Sequence, residues 1–140
     1  MNTLRASSLL LLLLILPGLR LVWTGEVVGI SDGDTITVLH NGKEQKIRLY
    51  GIDTPEKKQA FGKKAEQFPS DMAYGKTVKV DVRDVDRYGR YVALIEVDGQ
   101  VLNEALIQKG YAWVYRKYCK ADFCEDWLAI ESLAKSYMVG

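Results

Sequence analysis

Residues 26–51 read EVVGISDGDTITVLHNGKEQKIRLYG, and the alternation of apolar residues along this stretch decides the fold. Val27, Val28 and Ile30, then Ile36 and Val38, then Ile47 and Leu49 recur at strand spacing, broken by Gly33, Asn41-Gly42 and Gly51. Three short strands are predicted. Asn41-Gly42 is a strong hairpin signal because both positions tolerate positive φ, and a two-residue turn there pairs His40 with Lys43. In that register Ile36 faces Ile47 and Val38 faces Gln45, which gathers the apolar side chains on one face. The same register sets Asp34 opposite Leu49 and aims Arg48 at the other face, unless the strand coils near Gly33 or Gly51.

Further along, Val78, Val80 and Val82 alternate within Thr77 to Val82, and a fifth strand runs from Arg90 to Val97 before an Asp98-Gly99 turn. Helical spacing appears three times. Phe61, Ala65, Phe68 and Met72 precede Gly75, with Pro69 expected to kink or restart that helix. Val101 to Lys109 ends on Gly110 in the C-cap position, and a third helix from about Glu125 to Tyr137 sets Trp127, Ile130, Ala134 and Tyr137 on one face. Five short strands, three helices and glycine bends predict a mainly β domain, a five-stranded Greek-key barrel flanked by three α-helices.

The 140 residues, 48% hydrophobic and 26% charged, suit one globular domain and exclude a disordered tail or a rod. Nineteen basic against 18 acidic residues give a net charge of +1, so attraction to a polyanion must be local. One histidine and two cysteines exclude an ordinary four-ligand zinc site unless carboxylates make up the number. The uncharged stretch between Arg5 and Arg20, with its leucine and isoleucine run from Leu9 to Leu16 and then Pro17-Gly18, resembles a secretory signal. It is shorter than the roughly 20 residues that span a bilayer. Residues 1–23 are therefore expected to be a signal peptide or an N-terminal membrane tether, and residues 24–140 the folded domain. Export implies an oxidising compartment, where Cys119 and Cys124 are candidates for a disulfide across a short loop.

Four polar clusters stand at strand ends: Asp32-Gly33-Asp34-Thr35, Arg48 before Leu49-Tyr50-Gly51, Asp53-Thr54-Pro55-Glu56, and Asp86-Arg87-Tyr88-Gly89-Arg90. Aspartates and a glutamate are hard oxygen ligands suited to calcium or magnesium, and arginines offer a planar fork for phosphate oxygens. Together they suit metal-assisted hydrolysis of a phosphodiester. Each cluster also has a plain reading. Asp-Gly is a turn signal, Asp53 caps a helix as readily as it binds metal, and Arg87 and Arg90 pair with Asp84 and Asp86 at the surface. Trp113, alternating with Ala112 and Val114, is expected in the core.

In combination and order, these segments and Val101-Leu102-Asn103-Glu104-Ala105-Leu106 with Gly110 resemble the staphylococcal-nuclease-like, or thermonuclease, family. The resemblance covers residues from about 24 to the end. It implies an OB-type barrel and an exported, secreted or periplasmic, calcium-dependent endonuclease that cleaves DNA and RNA to 3′-phosphate ends. It implies Asp34, Asp53 and the Thr54 carbonyl as Ca2+ ligands, Glu56 as the group that positions or deprotonates water, and Arg48 and Arg90 as phosphate-holding residues. Tyr88, Tyr115 and Tyr118 are candidate substrate contacts, with single-stranded substrate and a monomeric enzyme expected. The segment after Glu56 is shorter than the lysine-bearing loop of the type enzyme, which leaves that loop's contacts open. A catalytically silent OB-type module that binds nucleic acid or protein is the alternative.

Overall fold

The structure, a computed structural model, describes residues 20–56 and 58–138. The expected leader, apart from its last residues, lies outside the described residues. Strands β1 (Leu21–Ser31), β2 (Thr35–His40), β3 (Lys43–Leu49), β5 (Thr77–Val85) and β6 (Tyr91–Val97) form the barrel, with β4 (Ile52–Asp53), β7 (Gln100–Val101) and β8 (Trp113–Val114) as two-residue additions. The helices are α1 (Gly62–Ala73), α2 (Leu102–Gln108) and α3 (Phe123–Met138). The sheet order β3-β2-β1-β5-β6 closes because β3 also pairs with β6, in parallel, through Ile47↔Tyr91, Arg48↔Val92 and Leu49↔Ala93. This is the five-stranded OB-type barrel with three helices.

The hairpin register follows the apolar pattern: Ile36 pairs with Ile47, Val38 with Gln45 and His40 with Lys43. Ile36, Val38 and Ile47 are fully buried, and Val80, Ile95 and Leu106 join them in the core. Asn41 (φ 51) and Gly42 (φ 78) supply the turn. Strand β1 begins at Leu21, so Leu21, Val22 and Trp23 precede the expected domain boundary at residue 24 and yet pair with Val82, Asp81 and Val80. Trp23 is buried against His40 and Tyr91. Its apolar surface is satisfied only across strands, so a reading along the chain assigned it to the leader's flank.

Helix α1 continues from Gly62 to Ala73 with Pro69 inside it, so it does not restart at the proline. Proline cannot donate to the carbonyl four residues earlier, that of Ala65. This carbonyl is the atom Gly33 packs against: a Cβ at Gly33 would come within 2.7 Å of it. Helix α2 ends as read, with Gly110 N–H donating to the Ile107 carbonyl and Tyr111 N–H to that of Leu106, the pattern of a glycine-terminated helix. Trp113 is a correction. In β8 it alternates with buried Val114 and points outward, 39% exposed, because strand side chains take opposite faces.

Candidate active site

The site is built where β2, β3 and β4 end. Asp32 and Gly33 both take positive φ (53° and 59°), and the Asp34 N–H closes back on the Asp32 carbonyl. The chain thus turns sharply before entering β2. Asp34 still accepts the Leu49 N–H at 2.8 Å through its backbone carbonyl, as the register requires, but the turn carries its carboxylate to the Arg48 side. Thr35, the ladder partner of Arg48, donates its hydroxyl to Asp34 Oδ1 at 3.1 Å. The coil near Gly33 thereby unites two side chains that a straight ladder separates.

Arg48 stands between two carboxylates. Its Nη2 lies 3.5 Å from Asp34 Oδ2 and 3.6 Å from Asp53 Oδ1, while Nη1 donates to the Leu49 carbonyl. Asp53 is held from both sides of its own backbone: β4 pairs it with Trp113, and Thr54 N–H donates to Asp53 Oδ1. Burial pushes the Asp34 carboxyl above the ordinary aspartate range, and Asp53 beside it pushes the same way. Arg48 and Thr35 oppose that shift without cancelling it. Two carboxylates crowded at a partly desolvated spot are short of positive charge.

A groove of about 620 Å³ opens beside this cluster, lined among others by Arg48, Arg87, Tyr88, Tyr115, Lys117 and Tyr118. Tyr115 and Tyr118 pack edge to face with ring centroids 4.7 Å apart, and the Lys117 ammonium sits over the Tyr118 ring. Arg87 lies over the Tyr88 ring and donates to its hydroxyl at 2.9 Å. Of the candidate residues, the structure therefore joins Arg48, Asp34 and Asp53 and gives Tyr88, Tyr115 and Tyr118 one groove. Thr54 is buried beside Asp53, with its hydroxyl toward the Asp32 carbonyl.

Two candidates are engaged by other partners. Glu56 is exposed, its N–H bound by the Gln59 side chain, and no group of three or more potential metal-ligating side chains forms among the described residues. Arg90 donates from Nε to Asp86 Oδ2 at 2.7 Å, the surface pairing that the sequence also allowed. Burial would raise the Asp86 carboxyl, but hydrogen bonds from Arg90 backbone and side chain and from the Tyr88 N–H outweigh it and hold it low.

Sequence reasoning missed the residues that hold these parts in place. Asn103 is fully buried; its Oδ1 accepts from Ile95 N–H, and its Nδ2 donates to the carbonyls of Tyr50 and Ala93, each at 3.1 Å. It thus ties α2 and β6 to the segment between Arg48 and Asp53. Buried Glu131 accepts from Val114 N–H and from Arg116, both at 2.8 Å, and so fixes β8 and the start of the tyrosine turn. Neither is marked by its neighbours: Asn103 stands directly before charged Glu104, and nothing in α3's sequence marks Glu131 out. The Cys119–Cys124 disulfide closes the same turn, with Cys119 Sγ only 2.7 Å from where a Gly51 Cβ would stand.

The OB-type barrel thus carries paired carboxylates and an arginine beside an aromatic groove lined by Arg48, Arg87 and Lys117 and by Asp84 and Asp86. A family model described as staphylococcal nuclease homologue matches residues 46–140, and the chain belongs to that family. It is 38% identical to Protein ParB of Escherichia coli over 146 residues, 98% of this chain and 82% of that protein. It is 45% identical to an uncharacterized endonuclease of Haemophilus influenzae and 45% identical to a micrococcal nuclease of Shigella flexneri, over 68% and 69% of this chain. It spans only 54% and 60% of those two relatives.

Proposed function

We propose that the protein is an exported, monomeric endonuclease that uses calcium to hydrolyse phosphodiester bonds in DNA and RNA, prefers single strands and leaves 3′-phosphate ends. One observation carries this reading: the Arg48 guanidinium stands between Asp34 and Asp53 beside a groove walled by Tyr88, Tyr115 and Tyr118. Relatives named endonuclease and micrococcal nuclease support nucleic acid as substrate. The tyrosines support single strands, because only unpaired bases offer faces to stack on. The apolar run from Leu9 to Leu16 and the disulfide support export, since disulfides persist in oxidising compartments.

The crowded carboxylates fit a hard divalent cation, which Asp34, Asp53 and the Thr54 carbonyl would hold. When bound, such an ion supplies positive charge to the phosphate oxygens. Arg48, aimed by Leu49 and flanked by acid groups, presents its fork to two phosphate oxygens and stabilises charge that grows there. Arg90, released from Asp86, adds a second guanidinium. Glu56, exposed, orients the attacking water and takes its proton.

The test is hydrolysis of single-stranded DNA with calcium and with chelator, with product ends read by mass spectrometry. Cleavage only in calcium, to 3′-phosphates, is expected; cleavage in neither condition removes the claim. The silent-module reading has its own support in Glu56, whose backbone is tied to Gln59, and in Arg90, whose guanidinium is already paired with Asp86. Activity undiminished by Glu56→Gln and by Arg48→Ala assigns the hydrolysis to something other than this site.

A further inference from the structure

The chain has 3 tryptophans. Trp23 and Trp127 are buried in the core, whereas Trp113 is 39% exposed. Among the described residues the Trp113 indole makes no hydrogen bond, ring contact or cation contact. Its backbone, by contrast, is firmly held. β8 pairs with β4, the next residue's N–H, that of Val114, donates to buried Glu131, and Tyr115 N–H donates to the Gly51 carbonyl, both at 2.8 Å. A single exposed aromatic is ordinary on a protein surface, so it is the position of this one that carries weight.

In the β4–β8 ladder Trp113 stands directly opposite Asp53, and Val114 opposite Ile52. Ile52 and Val114 are buried, so Asp53 and Trp113 share the outward face. Residues opposite each other in such a pair have Cβ atoms about 4.5–5.5 Å apart. The indole is thereby set beside a carboxylate that lies 3.6 Å from Arg48 Nη2. The tyrosine groove takes in Arg48 but neither Asp53 nor Trp113. Arg48 thus borders two separate aromatic surfaces, the groove and the Asp53–Trp113 pair.

We propose that Trp113 is a second stacking platform for the substrate strand, taking the base that lies on the Asp53 side of the phosphate held by Arg48. It rests on the nuclease reading and adds a contact that the tyrosine groove does not contain. A phosphate inside a strand joins two nucleosides. One enters the groove; the other is left next to Asp53, where the indole offers a broad apolar face on a fixed backbone. Every base has a π-face, so this contact adds affinity without choosing sequence. It acts only on unpaired bases, because a paired base has its faces covered by its neighbours in the stack.

The experiment is fluorescence anisotropy with the full chain in chelator, using two fluorescein-labelled single strands of equal length: an oligothymidylate, and an abasic strand with the same phosphates and no bases. Trp113→Ala is expected to raise the Kd of the oligothymidylate about fivefold or more, the scale of one lost stacking contact, and to leave the abasic strand unchanged. Trp113→Phe is expected to keep most of the affinity, because a ring face remains. Equal weakening on both strands marks a loss of fold or charge and overturns the proposal. Unchanged oligothymidylate binding in Trp113→Ala, with cleavage by the wild type intact, overturns the platform alone. A second measurement needs no variant: with Trp23 and Trp127 buried, acrylamide quenching of tryptophan emission reads mainly Trp113. The oligothymidylate is expected to shield it and the abasic strand is not; equal shielding, or none, overturns the platform. Failure of the wild type to bind the oligothymidylate at low salt also overturns it, and absence of cleavage in calcium as well overturns the nuclease reading with it.

Discussion

Replacing Asn103 with leucine keeps the side chain's size and removes its hydrogen bonds. The amide is fully buried and serves three backbone groups: Ile95 N–H and the carbonyls of Tyr50 and Ala93. The Ala93 carbonyl also accepts from Tyr50 N–H at 2.9 Å, so it keeps a partner. Ile95 N–H and the Tyr50 carbonyl lose theirs. At about 1–3 kcal/mol for each buried group left unpaired, Asn103→Leu costs about 4 kcal/mol. That is a large share of the roughly 5–15 kcal/mol that holds a domain folded. For a domain of this size it lowers Tm by about 15 °C. Urea titration and thermal melts followed by circular dichroism at one pH measure it. Asn103→Asp is expected to be at least as damaging, because a carboxylate would face two carbonyls. A loss below about 1 kcal/mol in Asn103→Leu refutes the claim that this amide clamps the barrel, because even one orphaned group exceeds it.

Arg48→Ala is expected to lower kcat about 100-fold or more with normal folding, as loss of one transition-state donor does; steady-state kinetics on an oligonucleotide decides it. Asp86 contributes stability through its depressed pKa: the contribution is full above the ordinary value of 3.8 and is lost as pH falls through the lower folded value. Melts of wild type and Asp86→Asn should therefore differ near neutral pH and converge near about pH 2, and a constant difference contradicts this. Replacing both Cys119 and Cys124 with alanine opens a loop with a sequence separation of 5 and should cost about 2 kcal/mol in urea titrations. Gly51→Ala is expected to destabilise too, since its φ is 73° and the added Cβ would meet Cys119 Sγ at 2.7 Å.

The strands, the Asn41-Gly42 hairpin and the glycine end of α2 were legible from residue order alone, because alternation and positive-φ turns are properties of neighbours along the chain. The roster of charged candidates was legible for a similar reason: each sits beside a glycine or proline that ends a strand. The sequence could not say that Asp34 and Arg48 meet. Their strand register opposes it, and only the three-dimensional turn at Asp32-Gly33, packed on the Ala65 carbonyl, reverses it. Trp23 and Trp113 make the same point, since one enters the core and the other leaves it according to partners more than 50 residues away. Asn103 and Glu131 hold the site through hydrogen bonds to distant backbone groups, which leave no periodic trace. Local sequence set the barrel's strands and the chemical types available. Which carboxylates share a guanidinium, and which tyrosines share a groove, was decided by closure of the barrel and packing of its helices, because those distances depend on contacts that no short stretch contains.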